Sequence, residues 1–149
     1  MTNARENLKQ HLLLNWNTFF NSFQHVGHRC RTVPSMTGVL QLPLKQNGKF
    51  SRLCDQELRN ALLDDNITAA GFNILQNNTR AFADIKYPDD CIIMHLPLIL
   101  PDNDELGMEF NDRVEKWQYD SITTHLPHET YYGFNQSGSD RVILHVVSR

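Results

Sequence analysis

The sequence predicts an α+β chain whose second half is a β-barrel or sandwich. Three observations carry that expectation. The first part of the chain places apolar residues at helical spacing. From Ile67 onward, short β-branched runs alternate with turn residues. The most apolar run, Cys91 to Pro101, contains Pro97 and ends on Pro101, which a helix would not tolerate.

Leu8, Leu12, Trp16, Phe19, Phe20 and Phe23 predict one amphipathic helix over Asn7 to Phe23, packed on the rest of the domain. Gln24 to Pro34 is polar and reads as a solvated loop. Its His25 and His28 have no third ligand nearby in sequence. Gly38 to Leu44 reads as a strand closed by the turn at Gln46 to Lys49. Asp55 to Leu63 reads as a short helix whose acidic first turn suits the helix dipole.

Ile67 to Leu75 predicts a strand with a bulge at Gly71, and Gln76 to Thr79 a turn. Asp84 to Asp90 reads as an acidic loop centred on Tyr87-Pro88, and Ile92 to Leu100 as a central strand. Gly107 to Trp117 reads as a polar hairpin arm, Ser121 to His125 as a short strand and Arg141 to Val147 as the last strand. Gly133 and Gly138 mark the loop between those two. One domain over residues 1–149 is expected, with 1–66 packed on a core formed by 67–149. A chain of this length buries about two thirds of its unfolded surface.

The charge of −3 comes from 14 basic and 17 acidic residues without long runs, so nucleic acid is not an expected partner. No apolar run reaches the roughly 18 residues that a membrane span needs, and the polar start is no secretory signal. Cys30, Cys54 and Cys91 are far apart and form no CxxC pair. A reduced, cytoplasmic protein without disulfides or a thiolate zinc site is expected.

The chemistry concentrates in the strands. His95 sits in the middle of an aliphatic wall. It reads either as a buried histidine with satisfied ring nitrogens or as a polar group aimed into a pocket. His125 and His128 flank the end of the short strand. Period two puts Arg141, Ile143 and His145 on one face of the last strand. An inward arginine on an apolar strand is costly unless an anion meets it. Its fork also suits a carboxylate. Arg141 near His128 and His95 thus predicts a pocket for a metal and a carboxylate; on the opposite face Arg141 would be solvated.

Met94-His95-Leu96-Pro97-Leu98-Ile99-Leu100-Pro101, Trp117, Pro127-His128-Glu129 and Arg141-Val142-Ile143-Leu144 together resemble the aspartyl/asparaginyl β-hydroxylase family. The resemblance runs from about Ile67 to Val147, with a weaker echo from Val39. It implies a mainly β, double-stranded β-helix (jelly-roll, cupin-like) core with N-terminal helices. It also implies an oxygenase that uses Fe(II) and 2-oxoglutarate to hydroxylate an unactivated C–H bond of a small molecule or a protein or peptide. By that resemblance His128 and Asp84 would hold the metal, while Asn73, His95 and Arg141 would bind the co-substrate. No catalytic residue beyond the metal ligands is implied. Three departures stand out. Asp84 replaces the family's first metal-binding histidine, Ile93 stands where a second arginine is common, and the spacing around His128 differs. A second expectation is therefore a non-catalytic cupin-fold binding module. A third is a zinc or nickel cupin built on His95, His125, His128 and His145.

Overall fold

The computed structural model of the chain describes residues 3–83 and 86–149. It opens with two helices, α1 (Asn3–Leu14) and α2 (Trp16–Val26), where the sequence predicts one. The break falls at Asn15, whose side-chain amide turns back to donate to the His11 carbonyl at 2.8 Å. A short polar side chain competing for backbone groups ends a helix in this way. Apolar spacing continues across the single-residue interruption and does not reveal it. The loop expected from Gln24 to Pro34 is only partly a loop. It holds the end of α2, a 3-10 turn at Gly27–Arg29 and strand β1 (Arg31–Val33).

After β2 (Met36–Gln46) and β3 (Lys49–Phe50) comes α3 (Gln56–Ala61), capped by Asp55, whose carboxylate accepts from the Leu58 amide at 2.9 Å. Seven of the eight remaining strands are β4 (Ile67–Leu75), β5 (Thr79–Ala83), β6 (Ile92–Ile99), β7 (Leu106–Glu109), β8 (Val114–Glu115), β9 (Thr123–His125) and β10 (Tyr131–Asn135). The last is β11 (Arg141–Ser148). Every pairing is antiparallel. Among the described residues the larger sheet runs β1-β2-β4-β11-β6-β9, with β3 beside β2, and the smaller runs β5-β10-β7-β8. β2 thus lies inside the larger sheet, between β1 and β4, rather than packing against it.

Besides β1 and the two-residue β3, two more strands were not foreseen. β10 occupies the segment expected to be a loop, with Gly133 in its middle. β5 follows the expected turn directly. The bulge expected at Gly71 lies on the neighbouring strand. Pro43 pairs with Gly71 and Lys45 with Ala70, so Leu44 is the extra residue. A Cβ on Gly71 would stand 2.9 Å from the Leu42 carbonyl, which is why glycine faces the bulge.

The larger sheet has a different core on each face. Outside, Phe72, Met94, Leu96, Leu98, Leu144 and Val146 pack under the helices against Leu12, Phe19, Leu58 and Leu62. Phe23 meets the Phe72 ring edge-on at 5.4 Å. Burying each such side chain contributes about 1.5–3 kcal/mol. Trp16 Nε1 donates to the Pro97 carbonyl at 2.7 Å, pinning α2 where β9 has already ended. Inside, Val39, Leu75 and Ile143 pack against Ala81, Leu106, Met108, Phe110 and Trp117 between the sheets. Among the described residues no helix is long and apolar enough to cross a membrane.

Candidate ligand site in the barrel

The inner face of the larger sheet turns polar toward one end. His145 lies directly opposite His95 on β6, Ile143 opposite Asn73 on β4, and Asn73 opposite Gln41 on β2. Thr123 on β9 faces His95, and His125 is two residues further along. Opposed residues share a face, as do residues two apart on one strand. Gln41, Asn73, Arg141, His145, His95 and His125 therefore all point between the sheets. Period two on the last strand, read from sequence, gives this face correctly, and Arg141 is buried on it at 4% exposure.

Two adjoining spaces open here. One of about 50 Å³ is lined by Gln41, Asn73, Tyr87, His125, Tyr131 and His145, among others. The other, about 130 Å³, shares Gln41, Asn73, Tyr87 and His145 with it. A water molecule needs about 10–15 Å³ on this measure, so the two hold several waters or one small organic molecule.

A chain of hydrogen bonds runs along the site. Trp117 Nε1 donates to His95 Nδ1 at 3.3 Å. His95 Nε2 and His145 Nδ1 are 3.1 Å apart, and His145 Nε2 and the Tyr87 hydroxyl 3.2 Å. Burial pushes His95 well below its ordinary value, helped by the neighbouring His145, His125 and Arg141 charges. Burial also lowers His145 and His125, each to about 4. All three rings are neutral at pH 7.

Arg141 lies behind Asn73, to whose side-chain oxygen its Nη2 donates, and its guanidinium stands 4.4 Å from the centre of the Trp117 ring. Its Nε is buried without a hydrogen-bond partner among the described residues. None of the ion pairs among the described residues involves it. Burial lowers it to about 10, with Tyr131 the nearby group opposing that shift. Glu129, the acid lining the smaller space, is bound to Arg113 at 2.7 Å and to the Leu126 amide at 2.9 Å.

The structure brings together three of the sequence-predicted site residues: Asn73, His95 and Arg141. It does not bring His128 with them. That side chain is exposed on the turn after β9, and its carbonyl lies 3.4 Å from Lys86 Nζ. Asp84 lies outside the described residues. Ile93 is buried on the same inner face, in a cluster with Cys91 and Val147. The rings of His95, His125 and His145 meet, with centroids 5.3 and 5.1 Å from that of His95. They do not converge on a common point, because His95 and His145 turn their nitrogens on each other. Among the described residues no group of three His, Cys, Asp or Glu side chains could hold a metal ion. The described residues do not by themselves fit iron, zinc or nickel.

Tyr87, Tyr131 and Gln41 were not singled out from sequence. Tyr87 sits in a loop beside acidic residues, and Tyr131 in a strand read as a loop. Gln41 could have been found by aligning β2 against β4, which sets it opposite Asn73.

No protein-family model matches the chain, and no curated protein matches it in sequence. Solved structures do match. A Pseudomonas putida prolyl-4-hydroxylase shares 14% identity over 97% of this chain and 87% of its own, with a TM-score of 0.57. The cupin domain of an XRE-family transcriptional regulator from Enterobacter cloacae shares 12% identity over 76% of this chain and 98% of its own, with a TM-score of 0.52. A conserved protein with a double-stranded β-helix domain from Klebsiella pneumoniae shares 9% identity over 83% and 85%, with a TM-score of 0.51. The chain has the cupin-like double-stranded β-helix fold, with N-terminal helices on its outer face. Proteins similar to it in fold include a hydroxylase and a regulator domain, so function must be argued from the site.

Proposed function

We propose that the barrel interior binds a small carboxylate, with Arg141 as its buried cation. One observation carries this reading: a fully buried guanidinium with an unpartnered Nε and no acid beside it among the described residues. Burying a cation without an anion is costly, and a carboxylate ligand offsets that cost through charge-assisted hydrogen bonds. Asn73 holds the guanidinium in place. Trp117 covers one face of it.

The ligand we favour is 2-oxoglutarate, in an oxygenase related to the aspartyl/asparaginyl β-hydroxylases. Here Arg141 and Asn73 would bind one carboxylate, and His95 would orient the co-substrate through the side chains it bonds. Fe(II), held by His128 and Asp84, would supply the oxidising chemistry, and a small molecule or a protein or peptide would be hydroxylated. The motif resemblance supports this version. The exposed side chain of His128, apart from the residues around Arg141, favours the other: a non-catalytic binding module that keeps the anion pocket without the iron.

A titration separates them. Protein is mixed with 2-oxoglutarate, with and without Mn(II), and followed by thermal shift; succinate release is then measured with Fe(II). Metal-dependent binding with succinate release supports the oxygenase. Equal binding without metal and no succinate supports the binding module. If 2-oxoglutarate and simpler carboxylates produce no shift under any condition, the anion pocket itself is wrong.

A further inference from the structure

The hydrogen-bond chain through the site has a direction. The indole N–H of Trp117 can only donate, so His95 Nδ1 must accept. A neutral imidazole that accepts at Nδ1 carries its proton on Nε2. His95 Nε2–H therefore donates to His145 Nδ1, 3.1 Å away. His145, accepting at Nδ1, carries its own proton on Nε2 and donates to the Tyr87 oxygen at 3.2 Å. Each tautomer is set by the previous one, starting from a side chain with no alternative. The phenol already accepts from His145, so its proton is left to point elsewhere. Tyr87 lines both spaces of the cavity.

We infer that Tyr87 is a second ligand-binding residue, a hydroxyl donor whose orientation is set from the core by Trp117, His95 and His145. This rests on the carboxylate reading and deepens it. The ligand class becomes a small acid with a second acceptor, such as a keto or carboxylate oxygen, apart from the carboxylate held at Arg141. A monocarboxylate such as acetate satisfies Arg141 alone. His95 has both nitrogens engaged within the protein, so its donor capacity reaches the cavity at Tyr87, two hydrogen bonds away. His145 passes the donor on and is a positioning residue.

The test has two arms. In the first, calorimetry measures 2-oxoglutarate and acetate binding to the parent protein and to Tyr87→Phe, which keeps the ring and removes the hydroxyl. Tyr87→Phe should weaken 2-oxoglutarate by about tenfold and leave acetate within about twofold. A merely structural role would weaken both alike, and equal weakening overturns the inference. Unchanged 2-oxoglutarate binding in Tyr87→Phe overturns it too, while leaving the carboxylate pocket standing. A parent protein that binds neither acid overturns the carboxylate reading and this ligand class with it. The second arm needs no ligand. Nitrogen-15 NMR of the histidine rings should show Nε2–H on both His95 and His145, and an Nδ1–H tautomer on either breaks the directed chain. In Trp117→Phe, loss of the single Nε2–H tautomer at His95 supports the inference, and its persistence overturns the core-set orientation.

Discussion

The two faces of the larger sheet are made from the same strands and are built to opposite rules. On β6, Met94, Leu96 and Leu98 face the helices, and Ile93, His95 and Pro97 face between the sheets. On β11, Val142, Leu144 and Val146 face outward, while Arg141 and His145 face in. The outer face is an apolar contact in which side chains lose water and gain packing. The inner face buries a cation and neutral imidazoles, which cost stability unless each finds a partner. One face therefore holds the fold together, and the other draws on that stability to keep a polar site.

Substitutions should separate the two faces. The largest effect is expected outside. Phe72→Ala removes a ring from the contact with Phe23 and should cost about 3–5 kcal/mol in urea unfolding. A loss below about 1 kcal/mol would mean that the helices contribute little to stability.

Inside, the sign should reverse. Arg141→Met replaces a buried cation that meets no acid among the described residues with an apolar side chain of similar length and should stabilise the ligand-free protein by about 1–4 kcal/mol. The same change should abolish any thermal shift with 2-oxoglutarate. A destabilised Arg141→Met protein would mark the guanidinium as structural.

Acid should act on the inner face selectively. His145 and His125 have folded values of about 4, below the ordinary 6.5. Between those values the unfolded chain binds protons that the folded one refuses, so stability falls as pH falls. The contribution is fully present above about pH 6.5 and is lost toward pH 4, at about 1.4 kcal/mol per unit for each ring. Both rings line the cavity, where solvent screening reduces each share, so a total on the order of 3 kcal/mol is expected. An unfolding midpoint unchanged between pH 7 and 4.5 would contradict this. The smallest effect returns to the outer face. Trp16→Phe keeps the packing and loses the bond to the Pro97 carbonyl, which should cost about 1 kcal/mol in the same urea assay.

What the sequence made legible follows the same division. β6 and β11 could be read because a continuous apolar run or strict alternation leaves few alternatives. From Arg141 alone, period two located the polar face. β10 could not be read, because Gly133 and Asn135 are loop residues by composition. Here they are strand residues because Gly133 lies against Leu75 and Asn135 bonds the Leu75 carbonyl at 2.9 Å. The break at Asn15 was invisible because it leaves the apolar stripe intact. Of the site, Asn73, His95 and Arg141 were found on strands read as strands, while Gln41 on β2, Tyr131 on β10 and Tyr87 in a loop were not. No local pattern reports that Tyr87 reaches His145 across a sequence distance of 58.

The placement of β11 bears on how the chain folds. It lies between β4 and β6, so the pairing that unites the larger sheet joins segments far apart in sequence. Without residues 141–148 the remaining pairs are β1-β2-β4 on one side and β6-β9 on the other, with an open row of backbone donors and acceptors on each. Such long-range pairing makes folding slow, on the order of milliseconds to seconds. Until β11 inserts, both open rows can capture another strand, so the interval before insertion is when this chain is most exposed to misassembly. A chain cut after Asp140 should aggregate rather than populate a smaller folded state.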